Sequence, residues 1–161
     1  MDLKYQHLIG RPFNHGVQDC FSLARDFYKD NFDINIRNIA RPDNWWNLGM
    51  NLYMDHFYEE GFRVIDCHPK DWLPADGFLI AMAAPVACHA AVYLGNNMIL
   101  HHAVNRFSEV TPYSGLWRNN TVAVLRHKDV PKVTKGPEIL DLMQLLPPHK
   151  RAMLEKANGS N

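Results

Sequence analysis

The stretch "HAAVYLGNNMILHHAV", residues 89–104, decides the fold. Two apolar runs flank Gly95, Asn96 and Asn97, a turn-forming cluster, so the stretch reads as an antiparallel hairpin. With a three-residue loop, Leu94 faces Met98 and Ala91 faces His101. His101 then shares a sheet face with His89 and lies diagonal to it. A type I turn closed by Asn97 in the left-handed region suits such a loop, since asparagine tolerates positive φ. A two-residue loop would shift the parity and bring His102 onto that face instead. The spacing favours His101 and leaves His102 as a partly buried or surface residue.

Around the hairpin lie two more strand-like runs, "GFLIAM" (77–82) and "TVAVLRH" (121–127), set off by turn signals in "PAD" and "PYSGLWRNN". Short strands with short connections predict an antiparallel sheet. Upstream the periodicity is helical. In "HGVQDCFSLARDFY" (15–28), Phe21, Leu23, Ala24, Phe27 and Tyr28 form one apolar face, and Asp19 is a natural N-cap for a helix over about 19–30. A second helix is predicted from Pro42 to Gly61, with Trp45, Leu48, Leu52 and His56 on one side and Trp46, Tyr53 and Phe57 beside them. Its aromatic surface either packs the core or walls a ligand groove. Helices first and sheet afterwards give an α+β domain over 1–127. Residues 128–161 read as a lysine- and proline-rich linker, a short helix "ILDLMQLL" and a polar end, a segment suited to docking.

Seventeen basic residues balance seventeen acidic ones, which argues against nucleic acid or an anionic membrane as partner. The longest apolar run is broken by Pro85 and His89, so no membrane span is expected, and the N-terminus reads as having no secretory signal. Three cysteines give no disulfide framework.

One of those thiols opens a helix. A helix N-terminus carries free N–H groups and about half a positive charge, which favours the thiolate of Cys20 over its ordinary protonated form. The Cys20 amide is also free to stabilise an oxyanion. His89 is placed to act as base and His101 to fix its tautomer. The runs "DCH", "ACH" and "HH" suggest zinc, but the paired cysteine spacings of zinc sites are missing. No metal and no cofactor are expected, and Cys67 and Cys88 read as structural thiols.

A glycine turn, Asp-Cys opening a helix, "DGFLIAM", and then histidines twelve positions apart together resemble the NlpC/P60 family of papain-like cysteine peptidases. The resemblance runs from about Phe13 to His127. "RPDNWW" and "PYSGLWRNNTVAVLRH" are similar to the branch found in lambda-like phage tail assembly proteins; the metallopeptidase-like domain that often precedes it there is not expected here. It implies a papain-like fold and a peptidoglycan hydrolase that cuts an amide or isopeptide bond in the stem peptide, typically between D-glutamate and the diamino acid. Cys20 would be nucleophile, His89 base then acid, and His101 orienter. His15, Gly16 and Asp19 would support the turn and oxyanion, and Trp45, Trp46 and Phe13 would line the groove. Implied partners are other tail-tip proteins, reached through the C-terminal tail. The implied place is the tail tip of a virion or assembly intermediate, made in the host cytoplasm and acting at the cell wall. A structural tail-tip component with a slow or unused site is the alternative. Phe13 stands where many members carry a tyrosine whose hydroxyl serves the oxyanion hole, which leaves compensation to His15 or Asn14, or a weaker activity.

Overall fold

In the computed structural model residues 2–131 are described. The first long helix begins at Asp19. Its carboxylate accepts from the Ser22 amide at 3.0 Å, while the Ser22 hydroxyl accepts from the Asp19 amide at 2.7 Å, so cap and first turn satisfy each other. Helix α1 runs Cys20–Phe32 and buries the predicted face. It outlasts its expected end because the Asn31 side chain donates back to the Phe27 carbonyl, and Asp33 closes it at φ 57°.

The helix predicted from Pro42 to Gly61 is broken. Asn44 and Gly49, at φ 59° and 70°, bracket a 3₁₀ turn over Trp45–Leu48, and a separate α2 spans Leu52–Glu59. Left-handed residues cannot sit inside a right-handed helix, so the aromatic pattern is divided between two short pieces. Both pieces still converge on α1. Tyr53 stacks on Phe21 with centroids 5.5 Å apart, and Trp45 lies 4.8 Å from Tyr53.

Six antiparallel strands follow: β1 Phe62–Val64, β2 Gly77–Ile80, β3 His89–Gly95, β4 Met98–His101, β5 Glu109–Pro112 and β6 Thr121–His127. Their order in the sheet is β1-β6-β2-β3-β4-β5. The two edge strands lie outside the predicted elements, and α3, Gly115–Asn119, falls in the stretch read as a turn. β1 is only three residues long and β5 carries Glu109 and Pro112, so neither offers an apolar alternation long enough to read as a strand.

The hairpin turn differs from the predicted one. Asn96 and Asn97 both take left-handed φ, 49° and 58°, making a two-residue turn of the primed kind. Met98 pairs with Gly95 rather than Leu94, and the register shifts between Tyr93 and Gly95. That bulge absorbs the parity change, so the ladder resumes as Tyr93↔Ile99, Val92↔Leu100 and Ala91↔His101.

Helix α1 covers one face of the sheet, against Ala90, Val92 and Leu100. On the other face Phe78, Ile80, Ala91, Ile99 and Tyr113 pack beneath Trp72 and Trp117. By strand alternation His89 and His101 belong to this second face, at the end of the sheet, and Cys88 belongs to the first. Beyond β6 the chain stays attached: the Lys128 amide donates to the Gly61 carbonyl and Val130 packs on the core. The predicted helix at 139–146 and the polar end lie outside the described residues. Among the described residues, no helix is long and apolar enough to cross a membrane.

Replacing Asn97 by valine should destabilise the domain by about 1–2 kcal/mol, since a β-branched residue is strained at that φ, while Asn97→Gly should be close to neutral. Urea unfolding of the two variants checks this.

Candidate active site

The turn before α1 is fixed from three directions. Gly16, at φ 75°, donates its amide to Asp19 Oδ2 at 2.8 Å. The same oxygen accepts from Arg41 Nε at 2.8 Å, and Arg41 Nη2 donates to the Gly16 carbonyl at 2.8 Å. Asp19 and Arg41 are both buried and their charges meet directly. Burial alone would raise the Asp19 carboxyl, but the Ser22 amide, the Arg41 guanidinium and the Gly16 amide outweigh it and hold the group below its ordinary value. Arg41 was not legible as a partner of Asp19, since 22 residues separate them.

Cys20 follows at once, buried and free of any disulfide. The cap occupies the Ser22 and Leu23 amides, leaving that of Cys20 without an acceptor among the described residues. The thiol itself meets Tyr53 Oη at 3.4 Å. Contrary to the sequence expectation, its pKa is pushed up to about 11. Burial raises it most and the adjacent Asp19 carboxylate adds to that, while the Tyr53 hydroxyl, the Ala90 backbone and Arg41 work against them. The helix end is already serving an anion: the carboxylate that caps the helix takes the field a thiolate would use.

A cleft of about 640 Å³ opens over the sulfur. Cys20, Asp19, His15, Phe13, Trp45, Trp46 and Tyr53 line it from the helical side, and His89, Met82, Cys88, His102 and Trp117 from the sheet side. His89 is buried, stacked on Trp117 at 5.3 Å, with Nε2 buried and unpaired. His101 stands behind it, outside the cleft lining, its ring 5.3 Å from that of His89 and nearly perpendicular. His101 Nδ1 is likewise buried and unpaired, while its Nε2 meets Thr111 Oγ1 at 3.1 Å. Among the described residues neither nitrogen has a hydrogen-bond partner, so the two rings meet edge to face without a bond between them. Burial, then the neighbouring His101 and His102, lowers the His89 pKa to about 3; burial, then His102, lowers that of His101 to about 4. Both rings are neutral at pH 7.

The remaining predicted residues fall in different places. Trp45 is 1% exposed and belongs as much to the core as to the groove, whereas Trp46 is half-buried on the rim. His15 Nε2 bonds the Arg41 carbonyl at 2.9 Å and its ring meets Trp46 edge-on, so it ties the turn to the groove wall. Phe13 presses its ring against His102 at 5.3 Å. His102 is fully buried, not superficial, with Nε2 at 3.1 Å from the Arg106 carbonyl. Cys88 is half-buried on the cleft wall and Cys67 half-buried elsewhere. No cluster of three potential metal ligands occurs among the described residues. Trp117 and Thr111 were not singled out by sequence reasoning, and Tyr53 was read only as one aromatic of the second predicted helix.

Cys20 at a helix start and His89 from an antiparallel sheet thus line one cleft, with His101 behind His89. Residues 10–126 match the NlpC/P60 family, and the chain belongs to it. Tail tip assembly protein K of Escherichia phage lambda is 35% identical over 122 residues, covering 76% of this chain and 60% of the relative. The protein of the same name from Escherichia phage N15 is 33% identical over 125 residues, covering 76% of this chain and 50% of that one. The chain thus spans little more than half the length of these relatives. A Staphylococcus aureus structure, described as similar to lipoprotein and of the NLP/P60 family, superposes with a TM-score of 0.52 at 17% identity. That match covers 75% of this chain and 38% of the other, and speaks for the fold alone.

Two outcomes are expected from this geometry. Removing one side of the buried pair with Arg41→Met should cost about 3–5 kcal/mol, because the Asp19 charge is left uncompensated. The second concerns acid. The unfolded chain protonates its histidines near pH 6.5 whereas native His89 and His101 resist down to about 3 and 4. Their contribution to stability is therefore complete above pH 6.5 and declines as pH falls through that window. Denaturation midpoints between pH 7 and 4 should fall less steeply in His101→Gln than in the wild type; parallel curves would contradict the assignment.

Proposed function

We propose that this chain is a thiol-dependent peptidoglycan hydrolase of a phage tail tip, cutting an amide or isopeptide bond in the stem peptide, with the D-glutamate to diamino acid bond as the preferred target. The observation that carries the reading is the shared cleft, with Cys20 on one wall and His89 on the other, and His101 behind His89. Family membership supports the chemistry, and the two similar tail tip assembly proteins support the location.

In this mechanism a neutral thiol meets a neutral imidazole, so activation is general-base catalysis at the moment of attack rather than a standing ion pair. The Cys20 S–H proton passes to the His89 imidazole as the S–C bond forms and the carbonyl electron pair moves to oxygen. Collapse breaks the C–N bond, the amine leaves with the His89 proton, and water, deprotonated by the same imidazole, releases the acid from the thioester. His101, held by Thr111, packs on His89 and orients its ring. Gly16, Asp19 and His15 hold the turn that presents Cys20. Trp46 and Phe13 grip the peptide, with the buried Trp45 behind them. Other tail-tip proteins are the partners, with residues 128–161 as the docking segment of the catalytic domain over 1–127. Action follows at the host cell wall during entry.

A second reading, an assembly component with a slow site, draws on one observation: the resting thiol bonds Tyr53 and no imidazole. The readings separate in one experiment. Cys20→Ala and His89→Ala should abolish release of stem-peptide fragments from purified peptidoglycan, followed by mass spectrometry, and His101→Ala should slow it about 10²-fold or more. Release undiminished in Cys20→Ala would remove the thiol mechanism.

A further inference from the structure

Helix α2 brings one polar atom to the cleft, the Tyr53 hydroxyl, and places it on the nucleophile. Its Oη lies 3.4 Å from Cys20 Sγ, and among the described residues it has no other hydrogen-bond partner. The ring is 2% exposed and held on three sides, stacked on Phe21, tilted against Trp45 and edge-on to Phe57. A hydroxyl so held is oriented before any substrate arrives, which is the condition for electrostatic stabilisation of developing charge. Phe13, the aromatic next to the glycine turn on the cleft wall, has no hydroxyl to offer, and its ring is engaged with His102. Of the two polar side chains between Phe13 and Gly16, His15 is committed to the Arg41 carbonyl and Asn14 is exposed and outside the cleft lining.

We propose that Tyr53 is a catalytic residue, donating its O–H to the Cys20 sulfur as it becomes an anion and then to the oxyanion formed beside it. The assignment rests on the hydrolase reading. The carbonyl oxygen is bonded to the carbon that sulfur attacks, so a donor already at the sulfur is within reach of the oxygen's about 3 Å contact distance. Tyr53 gives up no proton in the step: the thiol proton goes to His89, and the phenol remains the donor throughout. Burial holds the phenol well above its ordinary value, so it keeps that proton over the working range. The Cys20 amide is the second donor. Position 53 thus supplies from a separate helix the hydroxyl that the glycine turn lacks.

Tyr53→Phe keeps the ring and removes only the donor. Two readouts on the full chain distinguish this assignment from the hydrolase reading beneath it. In stem-peptide release, kcat should fall about a hundredfold with KM within twofold of wild type. In alkylation by iodoacetamide, which needs no peptidoglycan, the pH midpoint of Cys20 modification should move upward in Tyr53→Phe. 3-Fluorotyrosine at position 53, a stronger donor of nearly the same shape, should move it downward, and this variant decides the matter where Tyr53→Phe does not fold. Folded variants whose alkylation midpoint and kcat stay at wild-type values overturn the assignment. A wild type that releases no peptide at all sinks the hydrolase reading, and the alkylation midpoints alone then decide whether Tyr53 serves the sulfur.

Discussion

The carboxylate of Asp19 is the constraint on which the rest hangs. One oxygen caps α1 through Ser22, and the other gathers the Gly16 amide and the Arg41 guanidinium. Arg41 in turn binds the Gly16 and Ile39 carbonyls and lies over the Phe21 ring at 4.6 Å. A single buried anion therefore ties three segments together: the turn, the helix start and the stretch leading to the tryptophans. The groove wall inherits its position from that knot through the contact of His15 with Trp46.

The same anion sets the chemical temper of the site. A charge beside a buried thiol raises the cost of a second negative charge, and the closed sheet end does the converse for the histidines. In the mechanism proposed above, Cys20 and His89 are therefore a pair of uncharged groups, in which no charge is stored at rest and all of it develops on the way to the transition state. Such a site depends on donors prepared in advance, because it cannot draw on a thiolate that already exists. The fully buried imidazole of His89, stacked on an indole, is consistent with that economy of charge.

What could be read in the sequence was local. The start of α1 follows from Asp19 and Ser22 within one turn of chain, and the antiparallel hairpin from two short runs and their asparagines. Even there the predicted turn was wrong in form and right in register, because a bulge at the strand end replaced a longer loop. The helix over the tryptophans failed for a reason also written locally, the left-handed residues Asn44 and Gly49, whose effect periodicity does not weigh. Long-range features were out of reach. Nothing in the spacing links Arg41 to Asp19, Thr111 to His101, or Tyr53 to Cys20, since each pairing depends on how separate elements pack. The ionisation of Cys20 was misjudged for the same reason: the helix end was visible, while the depth of burial was not.

That covered sulfur has a consequence beyond turnover. Peroxides and disulfides are attacked by the anionic form of cysteine, and burial beside the Asp19 carboxylate disfavours that form of Cys20. For the proposed nucleophile, that means protection of the sulfur until a substrate fills the cleft.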